Sequence, residues 1–244
     1  MSPISASTSD GASAGRIDAI DLWRTLCIAG MIIYHTVFDL TLFGVLPESV
    51  LSAAPMNVLK YGVSGGFILC SGACARFSHD NLMRGFRIFL AGLAVSVVMA
   101  AVKMPVAFGI LQLLGCSVLF YGALGDKAGR LETPMWCVSL AILFAVCAAV
   151  ISHVTVESKL LYPLGLKYDG FYSADYYPLF PWLLLFLAGG YIGRLAAEHG
   201  NGRASGARLP RALTLPGRHS LLIYLAHQPI IYGLCALIFA GKTP

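Results

Sequence analysis

From Trp23 to Gly44 the chain stays apolar for 22 residues except where Arg24, His35 and Asp39 interrupt it. A run of that length reaches the ~20 residues that carry a helix across a bilayer. Such runs normally exclude ionisable groups, because a charge at the bilayer centre costs about 3 kcal/mol or more. The fold therefore has to accommodate this segment, and its three polar intruders need a chemical reason.

The remainder of the chain is of the same kind. It is 57% hydrophobic and 12% charged, against about 25% charged in an ordinary soluble domain. Further apolar runs occur at 58–75, 84–102, 106–124, 135–152, 178–197 and 218–240, making seven with the first at 22–45. Backbone polar groups in hydrocarbon must bond within their own segment, which selects helices. The expectation is an all-α, polytopic membrane bundle of about seven transmembrane helices.

Basic residues give the direction. Twelve Lys and Arg, including Arg24, Arg76, Arg84, Arg87, Arg194 and Arg218, lie on the side of the amino terminus, and five (Lys60, Lys103, Lys159, Lys167 and Lys242) on the other. The positive-inside rule then puts the amino terminus in the cytoplasm. Residues 1–15 lack the basic start and apolar centre of a secretory signal and read as a disordered cytoplasmic tail, leaving 16–244 as a single transmembrane domain. The net charge of +5 is explained by this orientation, so nucleic acid is not an expected partner. The basic, Gly-rich linker Glu198–Arg211 reads as a flexible cytoplasmic loop able to meet anionic lipid.

The seven cysteines all fall in apolar runs, where they pack as small hydrophobes. They imply no disulfide framework, and no metal site is expected.

At 100° per residue, Arg24 and His35 stand only about 20° apart around their helix, and Asp39 about 40° beyond His35. All three share a face, with His35 roughly 16 Å deeper than Arg24. Asp39 can orient His35 and raise its basicity, making it a proton acceptor. A satisfied buried pair is the plainer reading. The last run supplies a second polar cluster, His227-Gln228-Pro229, where proline frees the carbonyl of Leu225. His227 lies as deep from Arg218 as His35 does from Arg24, so the two histidines can meet. Gln112 is a lone amide that either bridges helices or touches a ligand. Ser64-Gly65-Gly66 and Ser71-Gly72-Ala73 form a small-residue face suited to helix packing. The segment 152–177 carries six Tyr and Phe residues and reads as an interfacial belt or as a platform for an acceptor.

Several stretches taken together carry a family pattern. Arg16-Ile17-Asp18, Asp21-Leu22-Trp23-Arg24, Met31 to His35 with Asp39-Leu40, Phe67 to Gly72, Phe108 to Gly115, Asp175 to Trp182 and Gly217 to Pro229 follow one another in order. This resembles the heparan-alpha-glucosaminide N-acetyltransferase catalytic-domain family, in its bacterial branch. The resemblance implies a transmembrane acyltransferase of the bacterial cytoplasmic (inner) membrane that takes acetyl-CoA from the cytosol and acetylates an extracytoplasmic sugar or glycan. The catalytic histidine of the animal members falls near Leu46 and Pro47, where this chain has none, so His35 is assigned by position and chemistry.

The expected site is His35, Asp39 and His227 for chemistry, with Arg24, Arg76, Arg84, Arg87, Arg218 and Gln228 for the acyl donor. The partners implied are the lipid bilayer, acyl-CoA and the acceptor, and a homo-oligomer stays open. A buried His and Asp on one helix would equally serve a proton-coupled transporter, and in an inert scaffold they would be interhelical glue.

Overall fold

The computed structural model describes residues 18–101, 103–200 and 210–239. The amino-terminal tail and most of the basic linker, with Arg16, Arg203 and Arg208, lie outside them. In chain order the helices are α1 (Asp18–Leu42), α2 (Ser49–Ser52), α3 (Ala54–Ala75), α4 (Asn81–Ala101), α5 (Ile110–Leu124), α6 (Pro134–Ile151), α7 (Leu179–Gly200), α8 (Arg211–Arg218) and α9 (Ser220–Phe239). Short 3-10 turns follow α5 (Gly125–Leu131) and interrupt the α6–α7 connection (Tyr162–Leu164). The protein is all-α, with no strand among the described residues.

Six helices are long and apolar enough to cross a membrane: α1, α3, α4, α6, α7 as far as Glu198, and α9. The remaining apolar run, 106–124, gives only the 15-residue α5, about 22 Å of helix against ~30 Å of hydrocarbon. Its first residues are drawn off into a loop. Ala107 N–H donates to Ser173 Oγ at 3.0 Å, Tyr177 N–H donates to the carbonyl of Phe108, and Gln112 Oε1 takes the N–H of Gly109 at 2.7 Å. Gln112 therefore caps α5, and its Nε2 donates to Ser96 Oγ of α4 at 2.6 Å. The lone amide bridges helices and holds a helix end. Residues 110–115, Ser117, Val118 and Tyr121 of α5 are buried, so this short helix is clad by its neighbours.

Close packing of α3 against α7 follows from small residues on both helices. A methyl group on Gly72 would run into the carbonyl of Phe186, one on Gly189 into that of Leu69, and one on Gly193 into that of Ala73. These contacts bring the two backbones together, which is how helices gain packing energy where lipid removes the hydrophobic drive. By contrast α6 exposes Met135, Val138, Ile142, Val146 and Val150, an outer face suited to lipid.

At the end of the bundle where α1 begins, the connections are fixed by ion pairs. Glu132, 1% exposed, pairs with Arg76 and accepts the Tyr121 hydroxyl, while Arg194 Nη1 donates to its carbonyl at 3.0 Å. Arg218 pairs with Asp21 at 3.2 Å and Asp18 at 3.6 Å, and Gly217 N–H donates to Thr25 Oγ1 at 2.9 Å. This second set fastens the α8–α9 junction to α1. Replacing Glu132 by Ala strands a cation and a phenol. Because Arg76 keeps part of its side chain in solvent, Glu132→Ala should cost about 3 kcal/mol, the low end for a broken buried pair, read as a lowered melting temperature in detergent.

Candidate functional site

The polar groups of α1 and α9 meet inside the bundle. His35 and His227 approach ring to ring, with centroids 4.9 Å apart. Gln228 Nε2 donates to both carboxylate oxygens of Asp39, at 2.9 and 3.2 Å, and Asp39 is wholly buried. No hydrogen bond or ion pair joins Asp39 to His35 among the described residues. The expected His35–Asp39 pair is thus replaced by an Asp39–Gln228 bond between helices. The physical reason is competition: the amide supplies a donor to a desolvated carboxylate without requiring a second charge.

The histidines are left with unused ring nitrogens. His227 Nδ1 lies 2.6 Å from the Tyr224 carbonyl. A carbonyl only accepts, so Nδ1 carries the proton in the neutral ring and Nε2 holds a lone pair. That Nε2 and His35 Nδ1 are buried without a hydrogen-bond partner among the described residues, as is Gln228 Oε1. Buried polar atoms are nearly always paired, since an unmade bond costs about 1–3 kcal/mol. Three together across one helix contact mark a surface built to meet another polar molecule.

A cavity of about 410 Å³ lies against the first turns of α9. Arg24, Arg84 and Arg87 line it with Asp80 and Ser71, and Ser220, Leu221 and Tyr224 form its α9 wall. Tyr224 is one helical turn from His227. Neither Arg84 nor Arg87 forms an ion pair among the described residues, while Arg24 stands 3.9 Å from Asp21. Cations left unneutralised beside a cavity suit an anion rich in oxygens.

The other two expected arginines are elsewhere. Arg76 borders a separate cavity of about 670 Å³ and is engaged with Glu132, and Arg218 is held by Asp18 and Asp21. Sequence alone ranks five arginines equally. Their partners, distant in the chain, separate them.

On the far side of the histidines lies a group that spacing did not single out. Lys60 Nζ sits 5.9 Å from the Tyr34 ring centroid and 5.6 Å from that of Tyr61, within electrostatic reach of His35 and of Asp175. Ser64 and Tyr177 share a 2.6 Å hydroxyl–hydroxyl bond. In the 152–178 connection, Phe171 packs against Tyr162, Tyr168 and Tyr176 at 4.7–5.7 Å, and Tyr176 OH donates to the Tyr162 carbonyl at 2.7 Å. These rings satisfy one another, and Tyr172 remains largely exposed. Burial pushes the Asp175 carboxyl up to about 6, opposed by the N–H of Ile110 and the charge of Lys60.

Residues 16–229 match the family described as "Heparan-alpha-glucosaminide N-acetyltransferase, catalytic". No curated protein and no solved structure matches the chain.

Because Asp175 holds its proton more tightly in the fold than at its ordinary 3.8, the stability it contributes is complete below that value and is lost as pH rises through about 6. Asp175→Asn keeps an oxygen for the Ile110 N–H and cannot ionise. Melting temperatures measured from pH 4 to pH 7 should fall more steeply in the wild type than in the variant.

Proposed function

We propose, because this chain belongs to the heparan-alpha-glucosaminide N-acetyltransferase catalytic family, that it moves an acetyl group from acetyl-CoA at the cytoplasmic face to a sugar or glycan on the opposite side. Membership makes it a membrane acyltransferase. The donor, the acceptor and their sides are the proposal.

What supports the reading is a single proximity: the cavity lined by Arg24, Arg84 and Arg87 is also lined by Tyr224, one turn from His227, which meets His35 and like it has an unpartnered nitrogen. The arginines bind the phosphates of the nucleotide, and the acyl arm runs along Phe67, Leu111 and Leu114 toward Tyr224. An apolar lining suits a slender arm, and fixed cations orient its charged end, so the thioester is positioned before reaction. The acceptor comes from the other face, past Lys60 and Tyr61. It gives up its proton to the histidine pair as it attacks, with His227 Nε2 supplied as a lone pair by the Nδ1 bond to the Tyr224 carbonyl. His35 stands beside it as base or transient acetyl carrier. Asp39 and Gln228 keep α1 and α9 in register.

A proton-coupled transporter is the weaker reading, because Asp39 is committed to Gln228 and forms no relay with His35.

Purified protein in liposomes, given radiolabelled acetyl-CoA and a panel of amino sugars, should transfer label. His35→Ala should lower turnover by about 10²-fold or more, the usual worth of an acid–base group, and Arg87→Ala should raise the KM for acetyl-CoA about tenfold, the loss of one charge-assisted contact. Absence of transfer to protein or sugar under all conditions would refute the assignment.

A further inference from the structure

Tyr224 is shared by the cavity, the histidine pair and the surroundings of Asp175 and Tyr177. It lines the cavity beside Ser220 and Leu221. Its ring centroid is 5.6 Å from that of His227, and its own carbonyl fixes the His227 tautomer. From the opposite side its phenol lies within electrostatic reach of Asp175 and Tyr177. The hydroxyl makes no hydrogen bond to another described residue, whereas the neighbouring phenols are committed: Tyr177 to Ser64, Tyr121 to Glu132 and Tyr176 to the Tyr162 carbonyl. A phenol kept for packing needs no hydroxyl here, because phenylalanine would fill the same space.

We propose that the Tyr224 hydroxyl is the donor that stabilises the oxyanion during acyl transfer. This rests on the acyltransferase reading and assigns a residue to its central step. The acceptor nucleophile adds to the thioester carbonyl carbon, forming the new bond, and the carbonyl π pair moves onto oxygen. Tyr224 O–H donates a hydrogen bond to that oxygen and keeps its own proton. The nucleophile's proton passes to the histidine pair. As the C=O re-forms, the carbon–sulfur bond breaks and the departing thiolate takes the proton, so that acylated acceptor and free CoA thiol leave. Tyr224 lines the cavity and stands beside His227, and a donor aimed at the oxygen on which negative charge develops is the arrangement that accelerates acyl transfer.

Tyr224→Phe deletes one atom and keeps the ring. In the liposome assay it should lower kcat by about 10²-fold, the usual loss for one oxyanion donor, while the melting temperature stays at its wild-type value. Binding to two unreactive donor analogues separates chemistry from packing. A ketone analogue that retains the carbonyl should bind the variant about tenfold more weakly, and a thioether analogue without the carbonyl should bind both proteins alike. A variant with kcat within threefold of wild type overturns the proposal while leaving the functional reading intact, and so does equal weakening of both analogues. Wild-type protein that transfers no acyl group overturns both readings together. Should Tyr224→Phe fail to fold, the analogue pair is applied to Tyr224→His, whose ring can still donate: retained preference for the ketone supports the proposal, and its loss counts against it.

Discussion

The bond from Gln228 to Asp39 is the constraint on which the site depends. A carboxylate with no solvent exposure must be given a donor, since desolvating it unpaired would cost several kcal/mol. The donor comes from α9, 189 residues away in the chain. That contact sets the rotation and depth of α9 against α1, and the histidines, His35 one turn from Asp39 and His227 next to Gln228, are carried into contact with it. Pro229 inside α9 removes the N–H that would bond the Leu225 carbonyl. Just before α9, Arg218 fastens to Asp18 and Asp21. With the chain tied at Arg218 and again at Gln228, the intervening Ser220, Leu221 and Tyr224 form a fixed wall to the cavity.

The seven hydrophobic runs were legible because hydrocarbon leaves so few options. A backbone that must bond internally becomes a helix wherever the apolar run is long enough. The failure is equally physical. Residues 106–109 are as apolar as any spanning segment, yet Ser173, the backbone at Tyr177 and the Gln112 amide claim their backbone groups. Ser173 and Tyr177 belong to a connection more than 60 residues later, which no periodicity in 106–124 can announce.

For the candidate site the same division holds. That His35 and His227 would sit at one depth follows from counting residues from Arg24 and Arg218, and the rings do meet. That Asp39 would serve His35 assumed that neighbours on a helix face are partners, whereas a desolvated carboxylate takes the best donor from any helix. Arginines show the limit most clearly. Arg76 and Arg84 are eight residues apart and equally basic in the sequence, but Glu132 neutralises one and nothing described neutralises the other. Tyr224 could have been noticed from its spacing, three residues before His227, where a backbone carbonyl can reach an imidazole.

The distribution of unsatisfied groups sorts the polar interior into two kinds. Glu132, Arg76, Tyr121 and Arg194 close upon themselves, and such a set rigidifies a helix end. The histidine pair, the Gln228 carbonyl and the cations at Arg84 and Arg87 do not close. They are arrayed in sequence of depth, cations lining the cavity at the end where α1 begins and imidazoles farther in. A molecule that completes every one of these contacts, as the proposed acyl donor would, is itself graded: anionic at one end, slender and weakly polar between, and polar at the other. That gradient is a property of the open partners alone, and it limits the donor more tightly than the histidines do. The proposed acceptor is less constrained: it would meet one cation, Lys60, held between two tyrosine rings, and a cap of aromatic side chains already packed on one another.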